Sequence, residues 1–149
     1  MQLLSDFFHE KLHQLAEKLE IKPNVHFAGV TPDIAKEYEK SDIFVCSSRY
    51  ESFGLATIEA MSFGIPAIGF RSCPGTNEII QNGSTGILVH GSERHSALAE
   101  AMLSLIAQPE KRQKMGKAAQ KHVAINYSND SVIDLWKKMV GAQNENHPT

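Results

Sequence analysis

A chain of 149 residues that is 42% hydrophobic is long enough for one domain with a real core, and a charged fraction of 21% is ordinary for a soluble protein. A formal charge of -2 excludes the basic face that a nucleic-acid binder needs, and no apolar run approaches the roughly 18 residues of a membrane span. The N-terminus, Met1-Gln2-Leu3-Leu4-Ser5-Asp6, carries no signal-peptide pattern. Cys46 and Cys73 match no metal or redox spacing, so the expected setting is reduced and cytoplasmic.

In chain order, residues 3–20 read as a helix, with Leu4, Phe8, Leu12, Leu15 and Leu19 at spacings of three and four. Val25-His26-Phe27-Ala28-Gly29 reads as a short strand. Thr31 and Pro32 suit the cap and first turn of a second helix, ending near Lys40. Asp42-Ile43-Phe44-Val45-Cys46 is a buried strand, and a helix follows Gly54 and stops at Phe63-Gly64, where Gly64 fits the left-handed position. Pro66 to Phe70 is the next strand, Thr76 to Gln81 a short helix, and Gly86 to Val89 a fourth strand. Ser92 is expected to cap a long helix whose Leu98, Ala101, Met102 and Leu105 form one apolar stripe. Pro109 opens another helix running to about Ile125. Ser128 caps a last one, with Val132, Trp136, Met139 and Val140 on its buried side. Residues 142–149 form a polar tail. Strands alternating with helices of crossover length predict an α/β class with a parallel sheet.

The chemistry concentrates in Ser47-Ser48-Arg49-Tyr50-Glu51-Ser52-Phe53-Gly54-Leu55-Ala56-Thr57-Ile58-Glu59. Glu51 falls in a strand-to-helix turn and Glu59 inside the helix, with a helix N-terminus, a natural anion site, between them. A carboxylate accepts two hydrogen bonds and can grip a vicinal diol. At roughly 1.5 Å per helical residue the two carboxylates lie about 10 Å apart, the order of a diphosphate with the hydroxyls at its ends. Gly54 lets backbone come close to a phosphate. Two glutamates so placed would by themselves be an ordinary loop carboxylate and a solvated helix residue; their arrangement around a helix start suits a nucleotide-sugar, and the surrounding motif decides for a site.

This stretch, with Phe63-Gly64-Ile65-Pro66-Ala67 and Asn82-Gly83-Ser84-Thr85-Gly86-Ile87-Leu88-Val89, resembles the C-terminal domain of retaining GT-B glycosyltransferases of family 4. Val25-His26-Phe27-Ala28-Gly29 and Met115-Gly116-Lys117-Ala118-Ala119 support the resemblance, which runs to about Val140. It implies a Rossmann-like parallel sheet with flanking helices, spanning residues 1–141, and a cleft shared with an N-terminal acceptor domain. It implies a nucleotide-diphosphate sugar (UDP-, GDP- or ADP-linked) as donor, with no metal and no further cofactor. By the same resemblance Glu51 reaches the donor sugar close to the reacting carbon, and Glu59 holds the ribose hydroxyls. Ser52 and the backbone of Phe53, Gly54 and Leu55 face diphosphate and sugar, and Val30 and Thr31 border the base. Arg49 and Tyr50 could line the cleft or cover its rim. Glu78, in Pro74-Gly75-Thr76-Asn77-Glu78, reads as structural, through capping contacts with its own turn.

The activity implied is transfer of a hexosyl group, with retention, to a glycan or lipid-linked acceptor by an enzyme peripheral at the membrane. Two alternatives stand beside it: a nucleotide-sugar epimerase of GT-B architecture, and a non-catalytic nucleotide-binding or interaction remnant. The second draws on the chain opening with a helix, where a doubly wound domain opens with a strand. The family's first strands and its phosphate-binding Arg and Lys are expected before residue 1, so the isolated chain is expected to be inactive. Strands left without neighbours invite association, so a dimer or swapped arrangement is expected. His9-Glu10-Lys11-Leu12-His13 matches the zinc-protease pattern, but the apolar stripe places both imidazoles on the opposite, solvated side of the helix. No third ligand accompanies them, where a catalytic zinc usually has three.

Overall fold

The computed structural model describes residues 2–144, with side chains over 8–141. It divides into two compact units between Ile34 and Ala35, and each is described by itself.

The first unit holds helix α1 (Gln2–Lys18) and a single 3-10 turn, Lys22–Asn24. α1 ends in a left-handed cap: the Glu20 N–H bonds the Glu17 carbonyl at 2.9 Å and the Ile21 N–H the Ala16 carbonyl at 3.0 Å. Glu20 occupies the left-handed position at φ 58°, where glycine is usual. Ala16 is buried, whereas Phe8, Leu12, Leu15 and Leu19 are each at least half exposed. Leu4 lies outside the described side chains. Residues 25–29 form no strand, against expectation. A parallel strand exists only through hydrogen bonds to a neighbour, and its hydropathy alone does not supply one. Thr31 does not cap a helix either. Its Oγ1 accepts the Asp33 N–H at 3.2 Å in a local turn, and α2 (Ile34–Glu39) begins after it. His13 is half-buried rather than solvated: its ring lies 4.0 Å from Phe27, while the exposed His9 is 5.6 Å from the same ring. Among the described residues no group of three or more metal-ligating side chains gathers.

The second unit is built on β1 (Phe44–Val45), β2 (Ala67–Phe70) and β3 (Gly86–Val89), parallel in the order β1-β2-β3. Phe44 pairs with Ala67, and Ala67 in turn with Gly86. β1 is shorter than residues 42–46, although the Cys46 N–H still bonds the Ile68 carbonyl at 2.8 Å. Helix α3 (Leu55–Ser62) joins β1 to β2, and α4 (Thr76–Ile79) joins β2 to β3. α5 (Arg94–Ile106), α6 (Pro109–Asn126) and α7 (Asn129–Asn144) follow.

The period of two along β2 and β3 splits the core between two faces. Ala67 and Leu88 point to one, with Met61 of α3 and Ala119 and Val123 of α6. Ile68, Phe70 and Val89 point to the other, with Ala101 and Leu105 of α5 and Met115 of α6. All four β2 residues are buried, as a central strand covered on both faces requires. Close backbone approach explains the Met115-Gly116 motif: a Cβ on Gly116 would stand 2.0 Å from the Gly64 carbonyl oxygen. Gly64 adopts the left-handed conformation its place after α3 predicts, φ 77°.

The turn before β3 is held by side chains: Asn82 Oδ1 accepts the Leu88 N–H at 2.8 Å, and Thr85 Oγ1 the Gln81 N–H at 2.9 Å. Ser128 caps α7, its Oγ accepting the Ser131 N–H at 3.2 Å. Ser92 does not cap α5; Glu93 occupies that position without a side-chain cap bond. Met102 of the expected stripe is exposed while Ala101 and Leu105 are buried. The expected buried side of α7 is also exposed: Val132, Trp136, Met139 and Val140 are all more than two-fifths accessible. α7 reaches Asn144, and the rest of the expected tail lies outside the described residues.

Candidate functional site

Beyond β1 the chain turns through Ser47 to Gly54 and enters α3, at the carboxyl end of the sheet where open α/β folds take ligands. Gly54 sits at the N-cap with φ 84° and ψ 41° and offers no side-chain cap. The first turn of α3 therefore starts without the internal acceptor that Ser, Thr, Asp or Asn would bring.

The loop lies against the turn that precedes α4. The Glu51 N–H bonds the Pro74 carbonyl at 3.3 Å. Gly75 (φ 78°, ψ -66°) runs so close that a Cβ there would stand 2.7 Å from the Glu51 carbonyl oxygen and 3.2 Å from the Phe53 carbonyl carbon. Only glycine fits that contact, since both the space and the positive φ exclude a side chain. Behind it, Thr76 is fully buried, its Oγ1 3.4 Å from Cys46 Sγ. Both cysteines are buried and unpaired to one another.

The expected residues fall as follows. Glu51 is half-buried in the loop, and Glu59 is exposed inside α3. Ser52, Phe53 and Leu55 are exposed, and Gly54 is buried between the loop and Ile79. Arg49 and Tyr50 are exposed on the same loop. Val30 and Thr31 belong to the other unit, Val30 fully exposed and Thr31 half-buried in its local turn. The side chain of Glu78 makes none of the expected capping contacts with its turn; only its N–H does so, bonding the Gly75 carbonyl at 3.2 Å.

Three further residues meet this loop or the helix α3 that follows it. Tyr38 of α2 is buried against Ala60 and Ile65, and its hydroxyl lies 3.2 Å from Glu59 Oε2 and 3.4 Å from the Ala56 carbonyl oxygen. Burial, then the hydrogen bond to Glu59 and its charge, raise the Tyr38 pKa above the usual phenol value. Tyr127, at the end of α6, meets Phe53 edge to face with ring centroids 6.2 Å apart. Its pKa is also raised, by burial and then by the Glu78 carboxylate. Arg94 opens α5 and donates to the carbonyls of Ser47 and Ser48. None carries a local signal, because each acts across a long stretch of chain. A groove of about 590 Å³, lined by Ser62, Lys117, Gln120, Lys121 and Ser128 among others, lies elsewhere and is bordered by none of the expected site residues.

Residues 8–122 match the family of glycosyl transferases group 1. The chain is 32% identical to the N-acetyl-alpha-D-glucosaminyl L-malate synthase of Bacillus anthracis over 83% of its own length and 32% of that relative's. An uncharacterized glycosyltransferase of Haemophilus influenzae is 30% identical over 86% of the chain and 36% of its own length. The chain thus spans about a third of the length of these relatives. Among solved structures, a S. aureus TarM variant in complex with fondaparinux, alpha-GlcNAc-glycerol and UDP superposes with TM-score 0.78. It is 26% identical and covers 87% of this chain and 26% of its own. Anabaena Alr3699/HepE superposes with TM-score 0.83 over 94% of this chain and 38% of its own; at 22% identity it speaks for the fold. The three-stranded parallel sheet flanked by helices is that of GT-B glycosyltransferases. A family match over most of the chain, carried on the expected architecture, places this protein among the glycosyl transferases group 1.

Proposed function

We propose that the chain is the donor-binding part of a retaining glycosyltransferase of family 4. It takes a hexosyl group from a nucleotide-diphosphate sugar and passes it to a glycan or lipid-linked acceptor, without a metal. The observation that carries this reading is the placement of Glu51 and Glu59 around the uncapped start of α3, with Glu59 held by Tyr38. Glu59 grips the ribose hydroxyls and Glu51 the donor sugar near the carbon that reacts. Ser52 and the amides of Phe53, Gly54 and Leu55 meet the diphosphate, whose growing negative charge in the reaction is the thing to stabilise. The chain spans about a third of the length of its relatives, so complete transfer is proposed for a longer protein, and these 149 residues alone are expected to bind donor without turning it over.

Calorimetric titration of this chain with UDP, GDP and ADP, and with their sugars, tests the reading. Glu59→Ala is expected to weaken every nucleotide about tenfold, the loss of one or two hydrogen bonds to a charged acceptor. Glu51→Ala is expected to spare the free nucleoside diphosphate and to weaken the sugar donor by a similar factor. Normal binding of nucleotide-sugar by both variants, or transfer by the chain alone, overturns the assignment.

A further inference from the structure

Arg94 sits at the first residue of α5, where the helix dipole disfavours a cation, so something else must hold it there. Its guanidinium carbon lies 3.3 Å from the centroid of the Phe70 ring, at the end of the central strand β2. Phe70 is 2% exposed, so the ring is a fixed platform that desolvates one face of the cation. From that platform Nη2 reaches the Ser47 carbonyl at 3.2 Å and the Ser48 carbonyl at 3.0 Å. Those carbonyls begin the loop that carries Glu51. Three residues on, the Glu51 N–H is tied to Pro74, so the loop is pinned at both ends of the segment from Ser47 to Glu51.

We propose that Arg94 is a positioning residue for the donor sugar: it fixes the start of the 47–54 loop and thereby aims Glu51. The inference rests on the donor-binding role proposed above, and it deepens that role by naming what sets the geometry of the sugar end. Arg94 acts through the backbone of Ser47 and Ser48 and not by touching the donor. Both bonds leave one nitrogen, Nη2, so the stacking is what matters: a planar guanidinium lies flat on the Phe70 ring while its edge donates to two successive carbonyls, and an ammonium on a flexible stem does not reproduce that stack.

The test compares Arg94→Gln and Arg94→Lys with the unaltered chain in two measurements. The first is amide hydrogen exchange over residues 47–54, with the core of α6 as internal reference. The second is calorimetric affinity for a nucleoside diphosphate and for its sugar conjugate. Arg94→Gln is expected to speed exchange in the loop at least tenfold with α6 unchanged, and to reduce nucleotide-sugar affinity about tenfold while free nucleoside diphosphate stays within twofold. Arg94→Lys is expected to fall between, recovering part of both effects. Unchanged loop exchange overturns the proposal, as does equal weakening of both ligands, which is the mark of a general structural role. Should the unaltered chain bind no nucleotide, the donor-binding role fails and the sugar-positioning role with it. The exchange arm then still reports whether Arg94 holds the loop.

Discussion

The Tyr38 hydroxyl donates to Glu59 Oε2 across 3.2 Å, from one helix to another 21 residues along the chain. Tyr38 is only 8% exposed, while Glu59 projects from α3 into solvent, so a buried phenol holds one oxygen of an exposed carboxylate and leaves the other available. Tyr38→Phe keeps the ring that packs on Phe63 at 5.4 Å and removes the tether. A single hydrogen bond to a charged group contributes about 1.5 kcal/mol. The variant is therefore expected to bind nucleoside diphosphate roughly three- to tenfold more weakly and to melt lower by roughly 3–5 °C. Calorimetry and thermal unfolding on the same sample check both halves.

Two phenols shape the alkaline limit of the fold. Tyr38 and Tyr127 both have pKa values raised from 10.0, each through burial first, followed by the nearby carboxylates Glu59 and Glu78 respectively. The folded state thus keeps these protons to higher pH than the unfolded chain. Their contribution is complete below pH 10 and is lost as pH rises through the raised values. Urea midpoints are expected to be flat up to about pH 10 and to fall above it, and to fall less steeply in Tyr38→Phe and Tyr127→Phe. An unchanged slope in both variants would assign the alkaline loss to other groups.

Gly75 meets the backbone of Glu51 at a distance no side chain tolerates, and it does so at positive φ. Gly75→Ala is expected to destabilise the domain by about 2–3 kcal/mol, strain and steric conflict together. That corresponds to a melting temperature lower by roughly 5–10 °C for a domain of this size. Because the conflict falls on the 51–53 backbone, nucleotide-sugar affinity should drop as well. A variant that melts normally would mean the two loops can separate freely.

At the end of α1, Glu20 pays the conformational penalty of φ 58° to close the helix. Left-handed backbone costs an ordinary residue about 1 kcal/mol, part of which glycine gives back through its freer unfolded chain. Glu20→Gly is expected to raise stability by a few tenths of a kcal/mol, on the order of the difference between those terms. Glu20→Ala should not, and differential scanning calorimetry of the pair separates the backbone effect from loss of the carboxylate.

Much of this protein is local, and the local part was legible in its sequence. The alternation of apolar runs with helical periods determined the parallel α/β class. Glycine and asparagine marked the ends of α3 and the turn before β3, and the Ser128 cap and the Pro109 start were found where residue chemistry put them. The glutamate pair was visible for the same reason, because a strand end, a glycine and a helix start within a dozen residues define its surroundings. Tertiary structure decided what depends on partners distant in sequence. It withheld a strand from residues 25–29, because a parallel ladder needs a neighbour that hydropathy does not specify. It left the apolar faces of α1 and α7 about half exposed, because a stripe records what a helix can bury and not what covers it. It also brought Tyr38 to Glu59 and Arg94 to the Ser47 and Ser48 carbonyls, contacts made across 21 to 47 positions by side chains whose own neighbourhoods are unremarked. The carboxylates were thus readable one by one, while the groups that aim them were set by how the helices pack around a three-stranded sheet.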